Sequence, residues 1–252
     1  MIPHWTQLAP YEWSLLIAAA AGIGLSKSGF AGVSMLHVIA FAFVFGAKAS
    51  TGILLPLLVI GDCCAIVVYG KTVQWRQVQR LLPPTLIGVG LGSLWMEKLD
   101  DATFKPLVGG IILTLTLLQI VRLWRPRLFE HIPHKRWFAW SLGLLAGITT
   151  MVANAAGPIV ALYLVAISLS KFELVGTSAW FFLVINVFKL PFSYSLGLIQ
   201  AETLLLDATL APAILLGMMF GKWLIQRVSQ RVFDSLLLLF TAVAALRLIG
   251  LF

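Results

Sequence analysis

Hydrophobic and polar positions alternate along this chain on the scale of whole membrane spans. Apolar runs of roughly 20 residues recur with short polar gaps between them. The runs fall at 11–25, 30–46, 50–70, 75–96, 102–122, 137–151, 156–170, 172–197, 203–225 and 231–250. Hydrocarbon supplies no hydrogen bonds, so each run is expected to be a helix that satisfies its own backbone. The first two runs of each half are short, about 15 residues, too few for a full crossing. They meet at stretches of a different kind: Gly24-Leu25-Ser26-Lys27-Ser28-Gly29-Phe30-Ala31-Gly32 in the first half, and Gly147 through Asn154-Ala155-Ala156-Gly157-Pro158 in the second. Each pair is either a re-entrant hairpin or two steep half-length spans. The predicted fold is all-α: a polytopic helical bundle of about 8–10 membrane segments with two broken helix pairs.

The two halves correspond. Placing Gly32 on Gly157, an offset of 125, aligns Gly29-Phe30-Ala31-Gly32 with Asn154-Ala155-Ala156-Gly157 and Tyr69 with Tyr194. An offset of 129 then matches Gly88 and Gly92 to Gly217 and Gly221, and Phe104 and Leu107 to Phe233 and Leu236. These matches are sparse, but their order and near-constant spacing favour a duplication. Residues 1–125 form the first repeat, 126–136 a basic linker and 137–252 the second repeat. Small-residue faces at Gly88, Gly92, Gly217 and Gly221 can serve packing within the chain or between chains, which leaves the oligomeric state open.

Charge orients the repeats. Lys71, Arg76 and Arg80 stand in one polar gap without an acid. Arg122, Arg125, Arg127, Lys135 and Arg136 oppose Glu130 in the next basic stretch, and Lys222, Arg227 and Arg231 form a third. The positive-inside rule puts all three in the cytoplasm. The mixed gap at 97–105 and the one holding Glu202 and Asp207 then lie outside, as do both termini. Counting crossings, the run at 50–70 enters while its counterpart at 172–197 leaves, so the second repeat is inverted. Broken helices meeting near the midplane of an inverted repeat are a recurrent transporter plan. Trp75, Trp95, Trp124, Trp137 and Trp223 fall near segment ends, the place of interfacial tryptophans.

Composition narrows the picture further. The chain has 252 residues, 60% hydrophobic and 11% charged, with a mean hydropathy of +0.97. About a quarter of a soluble domain would be charged. The net charge of +8 is therefore a topology signal, and no nucleic-acid partner is implied. No Lys or Arg precedes Lys27, so the basic region of a secretory signal is missing. Adjacent Cys63 and Cys64 make neither a disulfide nor a metal site. HExxH, GxSxG, Walker A and paired CxxC motifs are absent, which argues against an enzyme, a metal or another cofactor, and against transport powered by ATP within this chain.

The breaks hold the candidate chemistry. A helix beginning near Phe30 would aim its amides and positive dipole end at the first break, and one beginning at Pro158 would do so at the second. With Ser26, Lys27, Ser28 and Gly29 on one side and Asn154, Ala155 and Gly157 on the other, the two would wall a small anion site. The competing reading is that the small residues serve helix packing and that Lys27 snorkels to an interface. Asp62 and Lys189 lie inside repeat-related runs, with Asn186 one turn before Lys189. They form a structural pair, or Lys189 adds charge to the anion site, or Asp62 exchanges a proton as the coupling group. Ser50, Thr51, Thr177 and Ser178 line the site or bond back to helix carbonyls. Pro56 and Pro191 are expected to kink their helices, and His37 to be a packed or partnered histidine.

At this point the chain resembles the TauE/SafE, or sulfite exporter, family of membrane transporters. The resemblance rests on Gly22-Ile23-Gly24 through Gly32, Gly143 to Pro158, Ala47-Lys48-Ala49-Ser50-Thr51, Gly176-Thr177-Ser178-Ala179, and Val68-Tyr69-Gly70-Lys71 through Trp75-Arg76. Ser26-Lys27-Ser28 interrupts the glycines, and Val33 follows Gly32 where the family often has proline. The resemblance implies secondary transport of sulfite or a sulfonate such as sulfoacetate across a bacterial plasma membrane, often as export. The residues alone point to a small anionic substrate, with protons as a coupling ion through Asp62. A channel-like conductor of small anions, a membrane-embedded enzyme and a structural subunit of a membrane complex are the alternatives.

Overall fold

The structure, a computed structural model, describes residues 7–30, 33–125, 136–167, 169–224, 227 and 230–250. The expected basic linker, with His131 and His134, lies outside these residues except for Arg136; so do Ala31 and Gly32 of the first break, the chain ends, and the side chains of Phe233 and Leu236. Among the described residues ten α-helices appear in order: α1 Pro10–Lys27, α2 Ser34–Phe45, α3 Ala47–Tyr69, α4 Trp75–Lys98, α5 Asp101–Trp124, α6 Arg136–Ala153, α7 Gly157–Ala166, α8 Lys171–Ser195, α9 Ala201–Leu224 and α10 Gln230–Ile249. No strand occurs among the described residues. Pro56 and Pro191 stand inside α3 and α8, each assigned as one helix.

The broken pairs are unequal, which corrects the expectation of two equally short limbs. α1 and α6 have 18 residues each, against 12 in α2 and 10 in α7. At about 1.5 Å per residue, an 18-residue helix comes close to crossing a core of about 30 Å, whereas a limb of 10–12 residues reaches only about half way. The short limbs are also the most enclosed. On α2, Met35, Val38, Ile39, Phe41 and Phe45 are all buried, and α7 is buried from Pro158 to Leu164. The short limbs are thus kept away from lipid, as backbone that does not span the membrane requires. Longer helices surround the short ones. The spans 47–72, 102–124, 171–195 and 201–224 are long and apolar enough to cross a membrane. Trp75, Trp95, Trp124, Trp137 and Trp223 are exposed near helix ends.

The main helix contacts recur when α1–α5 and α6–α10 exchange places. α1 lies on α9 as α6 lies on α4, α2 on α10 as α7 on α5, and α3 on α9 as α8 on α4, while α3 meets α8 and α5 meets α10. The tightest seams are built from glycine. A side chain at Gly147 would collide with the Thr85 carbonyl and stand 2.7 Å from Gly88 Cα, and one at Gly92 would stand 2.9 Å from Met151 Cβ. Across the other seam, Gly217 faces the Ala21 carbonyl, Gly24 the Ile214 carbonyl and Gly221 the Ser28 hydroxyl, all too close for a Cβ. These small faces therefore close helices within the chain, the packing small residues permit in membranes.

Gly147→Leu should destabilise the fold by about 1–3 kcal/mol or more, because backbone stands where the side chain must go. Gly90→Ala meets nothing within 4 Å and is the matched control. Thermal unfolding in detergent checks both.

Candidate functional site

Two backbone reversals make the site. α1 ends at Lys27, and Gly29, at φ 113°, turns the chain out of it. α2 starts at Ser34, later than the expected start near Phe30. In the second half α6 ends at Ala153, and Asn154 takes φ 51°, the one positive value at a non-glycine residue among those described. Asparagine tolerates this region better than most residues. The Ala155 N–H donates to the Thr149 carbonyl at 3.4 Å and the Asn154 N–H to the Thr150 carbonyl at 3.0 Å, a closure of the kind that caps helix C-termini. α7 then begins at Gly157 with Pro158 in its first turn, where the missing proline N–H costs nothing. Gly29 and Asn154 are the residues that the offset of 125 aligns, and both turn left-handed.

Around the breaks runs a network of buried charge. Lys27 Nζ donates to Asp62 Oδ1 at 2.5 Å, and Asn186 Nδ2 donates to Asp62 Oδ2 at 2.8 Å. Lys189 Nζ donates to Asn154 Oδ1 at 2.5 Å and to Thr150 Oγ1 at 3.3 Å. Asn154 Nδ2 completes the chain by donating to the Thr51 carbonyl at 2.9 Å. Asp62 is fully buried and Lys189 nearly so, whereas the Lys27 side chain keeps 14% of its surface exposed. Lys27 also lies 4.8 Å from the centre of the Phe182 ring, a favourable cation–π placement. Asp62 thus pairs directly with Lys27, not with Lys189. Lys189 is held instead by Asn154 and Thr150.

Beside this network lies a cavity of about 110 Å³. Ser26, Lys27 and Gly29 line it from the first break, and Thr150, Asn154 and Gly157 from the second. Ser34 and His37 of α2, and Ser178, Phe182 and Asn186 of α8, complete its polar and aromatic wall. Ser34 and Gly157 are the first residues of α2 and α7, so both helix N-termini border the space with their positive dipole ends. Among the described residues, no three His, Cys, Asp or Glu side chains converge as a metal site would need.

Of the candidates read from sequence, Ser26, Lys27, Gly29, Asn154, Gly157, Ser178 and Asn186 border the cavity. Seven others do not. Ser28 Oγ donates to the Leu25 carbonyl of its own helix, and the side chain faces Gly221 of α9. Ala155 is buried in the core, and Asp62 and Lys189 stand behind Asn186 and Asn154, to which they bond. Ser50 and Thr51 hydroxyls bond back to Ala47 and Lys48 carbonyls, and Thr177 Oγ1 accepts from the Gln74 N–H. His37, Phe182, Ser34 and Thr150 border the cavity without having been singled out for it. A signal existed for one of them: Ser178, Phe182 and Asn186 recur every four residues, one face of one helix.

Apolar helices of spanning length around an internal cavity bordered by Lys27 define a multi-pass membrane protein with a buried site. The family model described as Sulfite exporter TauE/SafE matches residues 15–248, and the chain belongs to that family of membrane transporters. No curated protein and no solved structure gave a match.

Removing Asp62 alone leaves Lys27, its direct partner, without a counter-charge, so Asp62→Ala should cost about 3–5 kcal/mol. In Lys27→Met/Asp62→Asn both charges go together, and much of that loss should be recovered. Unfolding of the two single variants and the double variant in detergent gives the coupling.

Proposed function

We propose that the protein is a secondary transporter of a small organosulfur or sulfur oxyanion, sulfite or a sulfonate, in the bacterial plasma membrane. The observation that carries this reading is the cavity between the two breaks, bordered by Lys27 and by the N-termini of two half-length helices. Donors and positive dipole ends converge there, and the one nearby carboxylate is already engaged by Lys27 and Asn186. The family's printed description supplies sulfur, on which the geometry is silent. The exchange of the main contacts between helix sets supports a duplication with its repeats at 1–125 and 137–252, and the positive-inside rule favours an inverted arrangement with the basic gaps cytoplasmic and both termini outside. Alternating access then follows from one set rocking against the other around the fixed site.

Coupling follows from competition for Lys27. An anion that draws the ammonium group into the cavity removes the counter-ion of Asp62, and a proton supplies the missing charge. Anion and proton would then move together. A channel that conducts small anions is the second reading; stimulation of labelled-substrate uptake by unlabelled substrate inside proteoliposomes argues against it.

Ligand-dependent stabilisation of the purified chain tests the site, screened with sulfite, sulfate, thiosulfate, sulfoacetate, taurine and acetate. A ligand at 100 times its Kd should stabilise the fold by about 2.7 kcal/mol. The shift should vanish in Lys27→Met/Asp62→Asn, which removes the cation without stranding the acid. No shift with any anion, in protein shown to be folded, would sink the reading.

A further inference from the structure

The turn after α3 is clamped to the first turns of α8, on the side of the molecule that carries Lys71, Arg76 and Arg80. Thr72 Oγ1 shares its proton between the Tyr69 and Phe172 carbonyls, at 2.8 and 2.7 Å. The Gln74 N–H donates to Thr177 Oγ1 at 3.0 Å and Gln74 Nε2 to Glu173 Oε1 at 2.6 Å. Trp180 Nε1 donates to the Gly70 carbonyl at 3.2 Å, and the Tyr69 and Phe172 rings stack. Gly176 stands so near the Tyr69 carbonyl and the Thr72 hydroxyl that a Cβ there would collide with both. The cavity lies against these same turns of α8, with Leu174, Val175 and Ser178 in its wall. The clamp therefore holds a helix that walls the cavity.

The other half of the chain supplies a counterpart. An offset of 125 places Leu198 on Val73, and Gly52 within one residue of Gly176. There the turn after α8 lies on the first turns of α3, and Gly52 is too close to the Leu198 carbonyl for a Cβ. The helix from Gly52 to Tyr69 sets the two clamps roughly 25 Å apart, at opposite ends of α3. Their fastenings differ. The hydroxyls beside the second clamp bond within their own helices, Ser50 to Ala47, Thr51 to Lys48 and Ser195 to Phe192. The first clamp is tied by side chains, whereas the second rests on backbone contact. We propose, resting on the transporter reading above, that the two clamps are the gates of the cavity and open in alternation. The turn at 70–74 releases α8 to open the basic side, and the turn at Leu198 releases α3 to open the other. Opening the basic side breaks several hydrogen bonds and opening the other does not, so the protein rests with its basic side shut.

Cysteine labelling reads the gates without a substrate, so its result is separate from the identity of the anion. Ser178→Cys, in a full-length chain with Cys63→Ala and Cys64→Ala, puts a single thiol on the cavity wall. An impermeant maleimide is applied to sealed proteoliposomes of either orientation, and Lys71→Cys in a parallel sample marks the basic side. Gly176→Ala cannot seat the first clamp, so labelling from the basic side should rise severalfold and labelling from the opposite side should fall. Gly52→Ala should do the reverse. Gln74→Ala removes one tie and leaves the glycine contact, and should raise basic-side labelling by about two- to tenfold. Gly110→Ala, which meets nothing within 4 Å, is the control and should change neither. Shifts in the same direction for the two glycine variants, or no shift in either when folded, would overturn the gates and leave the anion site standing. Equal labelling from both sides in the parent and in every variant would count against alternating access as well. Should a glycine variant fail to fold, Gln74→Ala decides, and no rise from the basic side overturns the proposal.

Discussion

Two ammonium groups and one carboxylate share the centre of this molecule, and the rest of the structure is arranged so that they can. Lys27 comes from α1, Asp62 from α3 and Lys189 from α8, and Asn154 joins them from the turn between α6 and α7. A charge buried in a low dielectric is tolerated only with good geometry and satisfied hydrogen bonds. That geometry needs helices from both ends of the chain in register at once. So many polar groups make the centre a poor hydrophobic core.

The glycine seams hold that register. Where Gly88 meets Gly147, and where Gly24 and Gly217 meet carbonyls across α1 and α9, helices touch backbone to backbone. Such contacts fix axial position more tightly than larger side chains would, since there are few rotamers to adjust. They also bring Gly61 of α3 against Ile23, Lys27 and Ile214, one residue before Asp62. The ion pair is therefore placed by close packing and not only by its own attraction. Asn154 plays the matching part in the other half: its left-handed backbone makes the turn, while its amide bonds to Lys189 and to the Thr51 carbonyl.

Much of this could be read from the chain before folding. Apolar run length gave the long helices, and polar residues inside such runs gave both breaks, because in hydrocarbon a lysine or a glycine cluster stands out. Asn154 and Gly29 were aligned by simple offset, and their shared left-handed turn gives that alignment a physical meaning. The partner of Asp62 was not legible. Periodicity gives the face of one helix, but whether Asp62 meets Lys27 or Lys189 depends on the rotation of α1 and α8 about α3, which close packing decides. His37 was hidden for a similar reason. A lone histidine on an apolar helix looks like a core residue until the first turn of α2 is found at the cavity. Ser28 misled in the opposite direction: it sits beside Lys27 in sequence, yet one step around the helix turns it to Gly221.

The crossing of α1 onto α9 also sets a schedule for biosynthesis. α1 is made well before α9, and its glycine-carved face fits that helix, which begins at Ala201, about 170 residues later. At the usual pace of translation that is a wait of roughly 10–35 s. During it Lys27 can already meet Asp62, since α3 follows soon after, but the groove along Ala21 and Gly24 stays open to lipid or to the insertion machinery. α6 has no such wait, because α4 is in place before it emerges. Two seams alike in geometry are thus unlike in history, and the early, unfilled one is where assembly of this protein is most exposed to error.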